Sequence, residues 1–212
     1  VSHILNRGAE WYKGLCLSNP KSTGTKLISV CGHVQRPGNY EVTMGTPMKD
    51  LIFDMCGGMK PGRTLKAVIP GGSSVPIMTA AETEDCLLDY EGVVARGSML
   101  GSAGMIVMDD STDMVYQIWR LARFYAHESC AQCTQCREGT AWTTKMLERI
   151  LAGKGKAADL DLLLSLSENM TGKTICVLSD SCAAPIVSGI AKFRSEFDAY
   201  LSGARQPALA MA

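Results

Sequence analysis

Three cysteines stand at a spacing of three in Cys130-Ala131-Gln132-Cys133-Thr134-Gln135-Cys136. Each Cys-x-x-Cys turn can point both of its sulfurs inward. Three thiols so spaced can therefore close around one metal centre, with a fourth donor arriving from elsewhere. Bacterial ferredoxin runs begin with the same spacing, and a [4Fe–4S] cluster takes four thiolates. Zinc also accepts four thiolates, or three together with an imidazole such as that of His127. Zinc ribbons, however, present paired Cys-x-x-Cys knuckles rather than a triple followed by a single. A chance gathering of structural thiols is the plainest alternative. Two later cysteines offer a fourth donor. Cys176 follows the short approach Thr174-Ile175, and Cys182 lies six residues further on, near a predicted helix start. On the residues alone both stay open.

The surroundings of the triple suit an anion. A helix beginning near Glu138-Gly139-Thr140 directs its free N–H groups and positive dipole end at the thiols. Arg137 adds charge there and would raise a reduction potential, or else forms a solvated pair with Glu138. His127 reads as a helix-end residue. The remaining cysteines, Cys16, Cys31, Cys56 and Cys86, are scattered singly and read as small buried hydrophobes. Nine cysteines are an odd number in a chain with no export signal, so a reducing compartment is a better account than a disulfide framework.

The elements that must position these thiols fall into two patterns. Residues 26–94 read as short strands broken by Gly and Pro. Lys26-Leu27-Ile28-Ser29-Val30-Cys31 stops at Gly32, Gly38-Asn39 opens Tyr40-Glu41-Val42-Thr43, and residues 65–69 and 75–78 flank the turn Pro70-Gly71-Gly72. Leu51, Ile52 and Met55 form one helical face after Pro47, stopped at Gly57-Gly58. Met105-Ile106-Val107-Met108 is apolar throughout and suits a strand buried on both faces. Its partner is not visible, and it is expected to belong to a sheet lying outside this chain.

From Ser111 the period becomes helical. Met114, Val115, Ile118, Leu121, Ala122 and Tyr125 share one stripe, with Ser111 or Thr112 as N-cap. Trp142, Met146, Leu147, Ile150 and Leu151 form a second stripe, ended by Gly153. Residues 160–166 give a third helix. Ile186, Val187, Ile190, Phe193, Phe197 and Tyr200 give a fourth, capped by Asp180 or Ser181, with Pro185 in its first turn. Four such helices make a bundle. The expected fold class is α+β, a small mixed domain of a few strands around one helix followed by a four-helix bundle.

Bulk properties exclude several function classes. The 212 residues carry 21 basic and 21 acidic side chains, and zero net charge argues against a nucleic-acid binder. No run of about eighteen apolar residues offers a membrane span. The N-terminus has no basic stretch before an apolar core, and so does not read as a secretory signal. It also lacks an initiator Met, which suggests processing or the back part of a longer polypeptide. Neither a G-x-G-x-x-G nor a Walker loop is present. Pro70-Gly71-Gly72-Ser73-Ser74 reads as a turn rather than a phosphate cradle.

Glu128-Ser129-Cys130-Ala131-Gln132-Cys133-Thr134-Gln135-Cys136-Arg137-Glu138-Gly139 resembles the E-S-C-G-x-C-x-P-C-R-x-G signature of the NADH- and FMN-binding subunit of respiratory complex I, also called the F subunit of NADH–quinone oxidoreductase. Gly172-Lys173-Thr174-Ile175-Cys176-Val177-Leu178 resembles its G-x-T-I-C-A-L segment. Gly8-Ala9-Glu10-Trp11-Tyr12 and Ser29-Val30-Cys31-Gly32-His33-Val34-Gln35-Arg36-Pro37-Gly38 resemble its linker and its soluble-ligand-binding β-grasp (SLBB) domain. The chain departs from the pattern at Ala131, where the family has Gly, and at Gln135, where it has Pro. Ser179-Asp180-Ser181-Cys182-Ala183-Ala184-Pro185 also differs, losing a Trp and gaining Cys182.

The resemblance implies a [4Fe–4S] cluster on Cys130, Cys133, Cys136 and Cys176, taking single electrons from FMN reduced by NADH and passing them toward quinone. FMN and NADH would bind in a domain that precedes this chain, so the expected enzyme is an NADH:quinone oxidoreductase of which this piece lacks the flavin site and holds no catalytic residue. The implied organisation is 1–24 a linker, 25–98 the SLBB-like β-grasp domain, 99–110 a strand packed on the absent domain, 111–202 the four-helix bundle carrying the iron–sulfur cluster and 203–212 a tail. Implied partners are that absent domain and the neighbouring iron–sulfur subunits of the peripheral arm, with no nucleic acid and no direct membrane insertion. The implied location is the cytoplasmic side of a bacterial inner membrane or the mitochondrial matrix side. Alternatives are the equivalent subunit of a soluble NAD-linked hydrogenase or formate dehydrogenase, and, from another class, a zinc-stabilised interaction module.

Overall fold

The computed structural model describes residues 1–18 and 21–208, and the end of the predicted tail, 209–212, lies outside the described residues. The chain divides into two compact units, Val1–Ser111 and Thr112–Ala212.

In the first unit, strands β1 (Thr25–Gly32), β2 (Gly38–Thr43), β3 (Leu65–Ile69), β4 (Met78–Thr79) and β5 (Gly104–Asp109) form one sheet in the order β2-β1-β5-β3-β4. Alternation along β1 turns Ile28 and Val30 into the core and leaves Leu27, Ser29 and Cys31 exposed, as a strand covered on one face requires. β5 runs parallel to β1 and antiparallel to β3. The apolar run 105–108 is therefore the middle strand of this sheet, and the expectation of partners outside the chain is corrected. Both its edges are hydrogen-bonded by strands of this unit, so residues 99–110 join the 25–98 domain. Gly32 makes the β1–β5 contact possible. Its φ is +97°, and a Cβ there would stand 2.1 Å from the Val107 carbonyl oxygen.

The helical face after Pro47 becomes a π-helical segment, Asp50–Met55, that buries Leu51 and Ile52. Residues 75–78 supply only the short β4, because Pro76 has no N–H for a ladder. The described residues of the predicted linker are ordered. They open with helices α1 (Ser2–Arg7) and α2 (Ala9–Lys13), and Leu17 N–H then donates to the Met44 carbonyl at 3.0 Å. Helix α3 (Ala80–Thr83) starts on a capping box between Thr79 and Glu82, and α4 (Tyr90–Ala95) is capped by Asp89. Of the four scattered cysteines, Cys56 and Cys86 are buried and Cys16 half-buried, but Cys31 faces outward from β1, against expectation.

The second unit consists of α5 (Met114–Glu128), α6 (Thr134–Leu151), α7 (Ala158–Met170), α8 (Leu178–Lys192) and α9 (Arg194–Leu201). α5 packs on α6 and α8, and α7 packs on the same two, so four helices enclose a core that includes Met114, Ile118, Leu147, Leu163 and Ile186. Three expectations are corrected. Asp113, not Ser111 or Thr112, caps α5 by accepting the Tyr116 N–H. Trp142 is 53 % exposed and stands outside the core. The expected fourth helix is two, broken at Phe193 (φ −124°, ψ 31°), and α8 begins at Leu178, so Pro185 lies inside it and Asp180 and Ser181 are helical residues. The break lets α9 turn back onto α5, α6 and α8 and bury Phe197 and Tyr200.

Candidate functional site

The three closely spaced cysteines occupy the α5–α6 connection. α5 ends at Glu128, Ser129 is extended, and Ala131 takes the left-handed conformation at φ +64°. Cys133 is the residue before the first turn of α6, and Cys136 lies within that turn. The helix thus starts earlier than its predicted beginning near Glu138. Arg137 folds back over the connection. Its guanidinium donates to the Ala131 carbonyl at 2.7 Å and to Glu138 Oε1 at 2.9 Å. The pair with Glu138 is present, and the same guanidinium holds the loop at Ala131, next to Cys130.

Cys176 lies in the α7–α8 connection, two residues before α8. Thr174 Oγ1 donates to the Cys176 carbonyl at 2.7 Å and lies 2.6 Å from Ser179 Oγ. Asp180 accepts the Gly172 N–H at 2.9 Å. The two connections meet where the Ile175 N–H donates to Cys133 Sγ at 3.5 Å. The N-termini of α6 and α8 thereby reach the same place, and both present free N–H groups and positive dipole ends to the thiol-bearing loops.

Burial separates the thiols. Cys130 and Cys176 are exposed, Cys133 is half-buried and Cys136 is buried, with its sulfur 3.3 Å from Ser129 Oγ. Cys182 has no exposure at all, and burial, with Cys136 nearby, pushes its thiol up to about 12. It is a neutral core thiol in α8. His127 is an exposed residue of the last turn of α5, at a helix end as expected. Among the described residues, no three Cys, His, Asp or Glu side chains stand in a ready-made coordination shell. The structure brings the four candidate thiols to two meeting loops without drawing them into a shell. Their chemistry fits an iron–sulfur cluster: four soft sulfur donors, two helix N-termini, one arginine, and an N–H already directed at a sulfur.

The sequence did not single out Ser129, the Arg137 hold on Ala131, or the Thr174, Ser179 and Asp180 pins. The left-handed loop position did leave a signal, since Ala131 stands where the family has Gly.

Residues 26–116 match the family profile of the SLBB domain, and residues 116–200 that of the NADH-ubiquinone oxidoreductase-F iron-sulfur binding region. The chain is 47% identical over 196 residues to the F 1 subunit of the NADH-quinone oxidoreductase of Rhizobium meliloti, covering 92% of this chain and 45% of that protein. It is 46% identical over 203 residues to the corresponding F subunit of Streptomyces coelicolor, covering 96% and 44%. Among solved structures, an NAD+-reducing [NiFe]-hydrogenase in the air-oxidized state superposes with a TM-score of 0.83 at 32% identity, covering 100% of this chain and 35% of that one. The H2-reduced state gives 0.82 at 33%, covering 94% and 33%. The chain spans about half the length of the curated relatives it matches. It is a homologue of the F subunit of NADH-quinone oxidoreductase, with an SLBB domain followed by the iron–sulfur binding region of that protein.

Proposed function

We propose that this chain holds a [4Fe–4S] cluster on Cys130, Cys133, Cys136 and Cys176, and is the electron-transfer part of the NADH dehydrogenase module of an NADH–quinone oxidoreductase. The observation that carries the reading is the meeting of the two thiol-bearing loops at Ile175 N–H and Cys133 Sγ, inside the segment that matches an iron–sulfur binding region. When bound, such a cluster supplies one-electron transfer between a flavin and the next acceptor. The protein's part is to hold iron with thiolates, to offset their charge with Arg137 and two helix N-termini, and to fix both loops through Thr174, Ser179 and Asp180. FMN and NADH would bind elsewhere in the full-length protein, and neighbouring iron–sulfur subunits of a peripheral arm would receive the electrons, on the cytoplasmic or matrix side. The four packed helices α5–α8 would be the cluster-carrying bundle.

The NAD+-reducing hydrogenase likeness supports a second setting for the same module, but identity there is 32–33%, against 44–47% with the quinone reductase subunits. The test is anaerobic reconstitution with iron and sulfide, metal and sulfide counts, and electron paramagnetic resonance after dithionite. A reduced four-iron signal lost in Cys176→Ser and kept in Cys182→Ser is the expected result. A chain that takes zinc and refuses iron would refute the electron-transfer role.

A further inference from the structure

Ser129 stands at the C-terminal end of α5, half-buried, with its Oγ 3.3 Å from Cys136 Sγ. The same oxygen accepts the Ala131 N–H at 3.3 Å. A hydroxyl has one proton and two lone pairs. With one lone pair engaged by Ala131, the proton remains to be placed, and among the described residues Cys136 Sγ is its one acceptor. In the free protein either the hydroxyl or the thiol can donate. A metal-bound Cys136 has no proton, so only Ser129 can then be the donor.

We infer that Ser129 is a positioning residue that donates its hydroxyl proton to Cys136 Sγ and thereby raises the reduction potential of the centre this sulfur helps to hold. The inference rests on the reading of Cys136 as a cluster ligand. Reduction adds one electron and no proton, breaks no bond, and increases the negative charge shared by the ligand sulfurs. A donor aimed at one of them stabilises the reduced form more than the oxidised form, and hydrogen bonds to cluster sulfurs are among the determinants of potential. Cys136 is the most enclosed thiol of the four. Solvent replaces a lost donor least easily there, and an intact one counts for most. The backbone Ile175 N–H does the same for Cys133, but only the Ser129 donor can be removed by changing a side chain.

The test uses the full chain reconstituted anaerobically and titrated against potential, with the reduced signal read by paramagnetic resonance. In Ser129→Ala the ratio of reduced to oxidised protein at a fixed potential falls about tenfold, equivalent to about 59 mV for a one-electron couple. Ser129→Thr and Ser129→Val keep a branched side chain of one shape and differ only in the hydroxyl, so the comparison survives if the alanine variant folds poorly. Thr keeps the wild-type ratio and Val follows Ala. An exchangeable-proton hyperfine coupling present in wild type and Thr, and absent in Val, accompanies the shift. Equal potentials in Thr and Val, with the signal still lost in Cys136→Ser, overturn the role of Ser129 while leaving the ligand assignment intact. An unchanged signal in Cys136→Ser overturns the ligand assignment itself.

Discussion

Helix α6 meets α7 at Gly139, one turn from Cys136. A Cβ added there would stand 2.6 Å from both Cγ and Sδ of Met170, the last residue of α7, which is 1% exposed. Ordinary carbon contacts are about 3.5–4.0 Å, so Gly139→Ala forces Met170 to move by about an ångström. An apolar recess of about 260 Å³ beside Gly139 and Met170 has space for the thioether tip, but Cγ is fixed closer to the backbone. Overpacking of this kind costs about 1–3 kcal/mol, and replacing Gly by Ala inside a helix returns about 1 kcal/mol. The net expectation is a loss of about 0–2 kcal/mol. Met170→Ala alone opens a cavity and costs about 2–4 kcal/mol. In that background the new Cβ meets open space, and Gly139→Ala becomes a gain of about 1 kcal/mol. The coupling between the two sites is then about 1–3 kcal/mol, the overpacking term itself. Urea unfolding of the full chain, followed by the fluorescence of Trp119 and Trp142 in the helical unit, measures all four corners of the cycle. If Gly139→Ala costs the same in both backgrounds, the close approach of α6 and α7 is not what Gly139 permits, and the reasoning is refuted.

Gly32→Ala combines a left-handed φ with a Cβ 2.1 Å from the Val107 carbonyl, so the first unit is expected to lose about 3 kcal/mol or more, read as a lower urea midpoint for Trp11 fluorescence. Ala131→Gly removes the strain of a non-glycine residue at φ +64° and should raise the stability of the helical unit by about 0.5–1 kcal/mol with iron content unchanged. A loss of stability would mean that the α5–α6 loop relies on the Ala131 methyl. For Asp109, burial raises the pKa, but hydrogen bonds from the Ser111 hydroxyl and N–H, together with His33, outweigh it and hold the carboxyl below its usual value. A depressed folded-state pKa stabilises above about pH 4 and is lost as pH falls through the folded value. Acid titration of the first unit should show this limb, and Asp109→Asn should remove it.

Much of the strand pattern was legible because it is local. β1, β2 and β3 fall where alternation and flanking Gly placed them, and the turn at Pro70-Gly71-Gly72 accommodates a close backbone approach, with Gly71 nearly touching Met99 and Leu100. The partner of 105–108 was not legible. Parallel pairing joins Val30 to Met105 across a long stretch of chain, and nothing in either strand's own pattern names the other. The split at Phe193 was hidden for the opposite reason. The stripe from Ile186 to Tyr200 keeps helical spacing across the break, yet a straight helix would carry its end away from the core. Tyr200 reaches Asp113 at 2.5 Å only because α9 turns back, and burial of Phe197 and Tyr200 outweighs one lost helical turn.

At the site the triple was legible from spacing alone, whereas the fourth donor is a tertiary matter. Cys176 and Cys182 are six residues apart and chemically identical in sequence. They differ in what must be undone for either sulfur to reach the α5–α6 loop. Cys176 is already exposed in a connection whose next-door N–H touches Cys133. Cys182 lies more than one turn inside α8 with no exposure. Bringing its sulfur out would unwind that turn, breaking the Ser181 N–H bond to Val177 and freeing Asp180 from the Gly172 N–H. Each such bond contributes about 1 kcal/mol, and the core would also keep the hole left by the thiol. Those terms oppose Cys182 as a ligand and leave Cys176 unopposed. The Cys176→Ser and Cys182→Ser pair is therefore a test of fold energetics as much as of chemistry. If Cys182→Ser lost the signal while the apoprotein stayed folded, α8 would have to open at its N-terminus when iron binds.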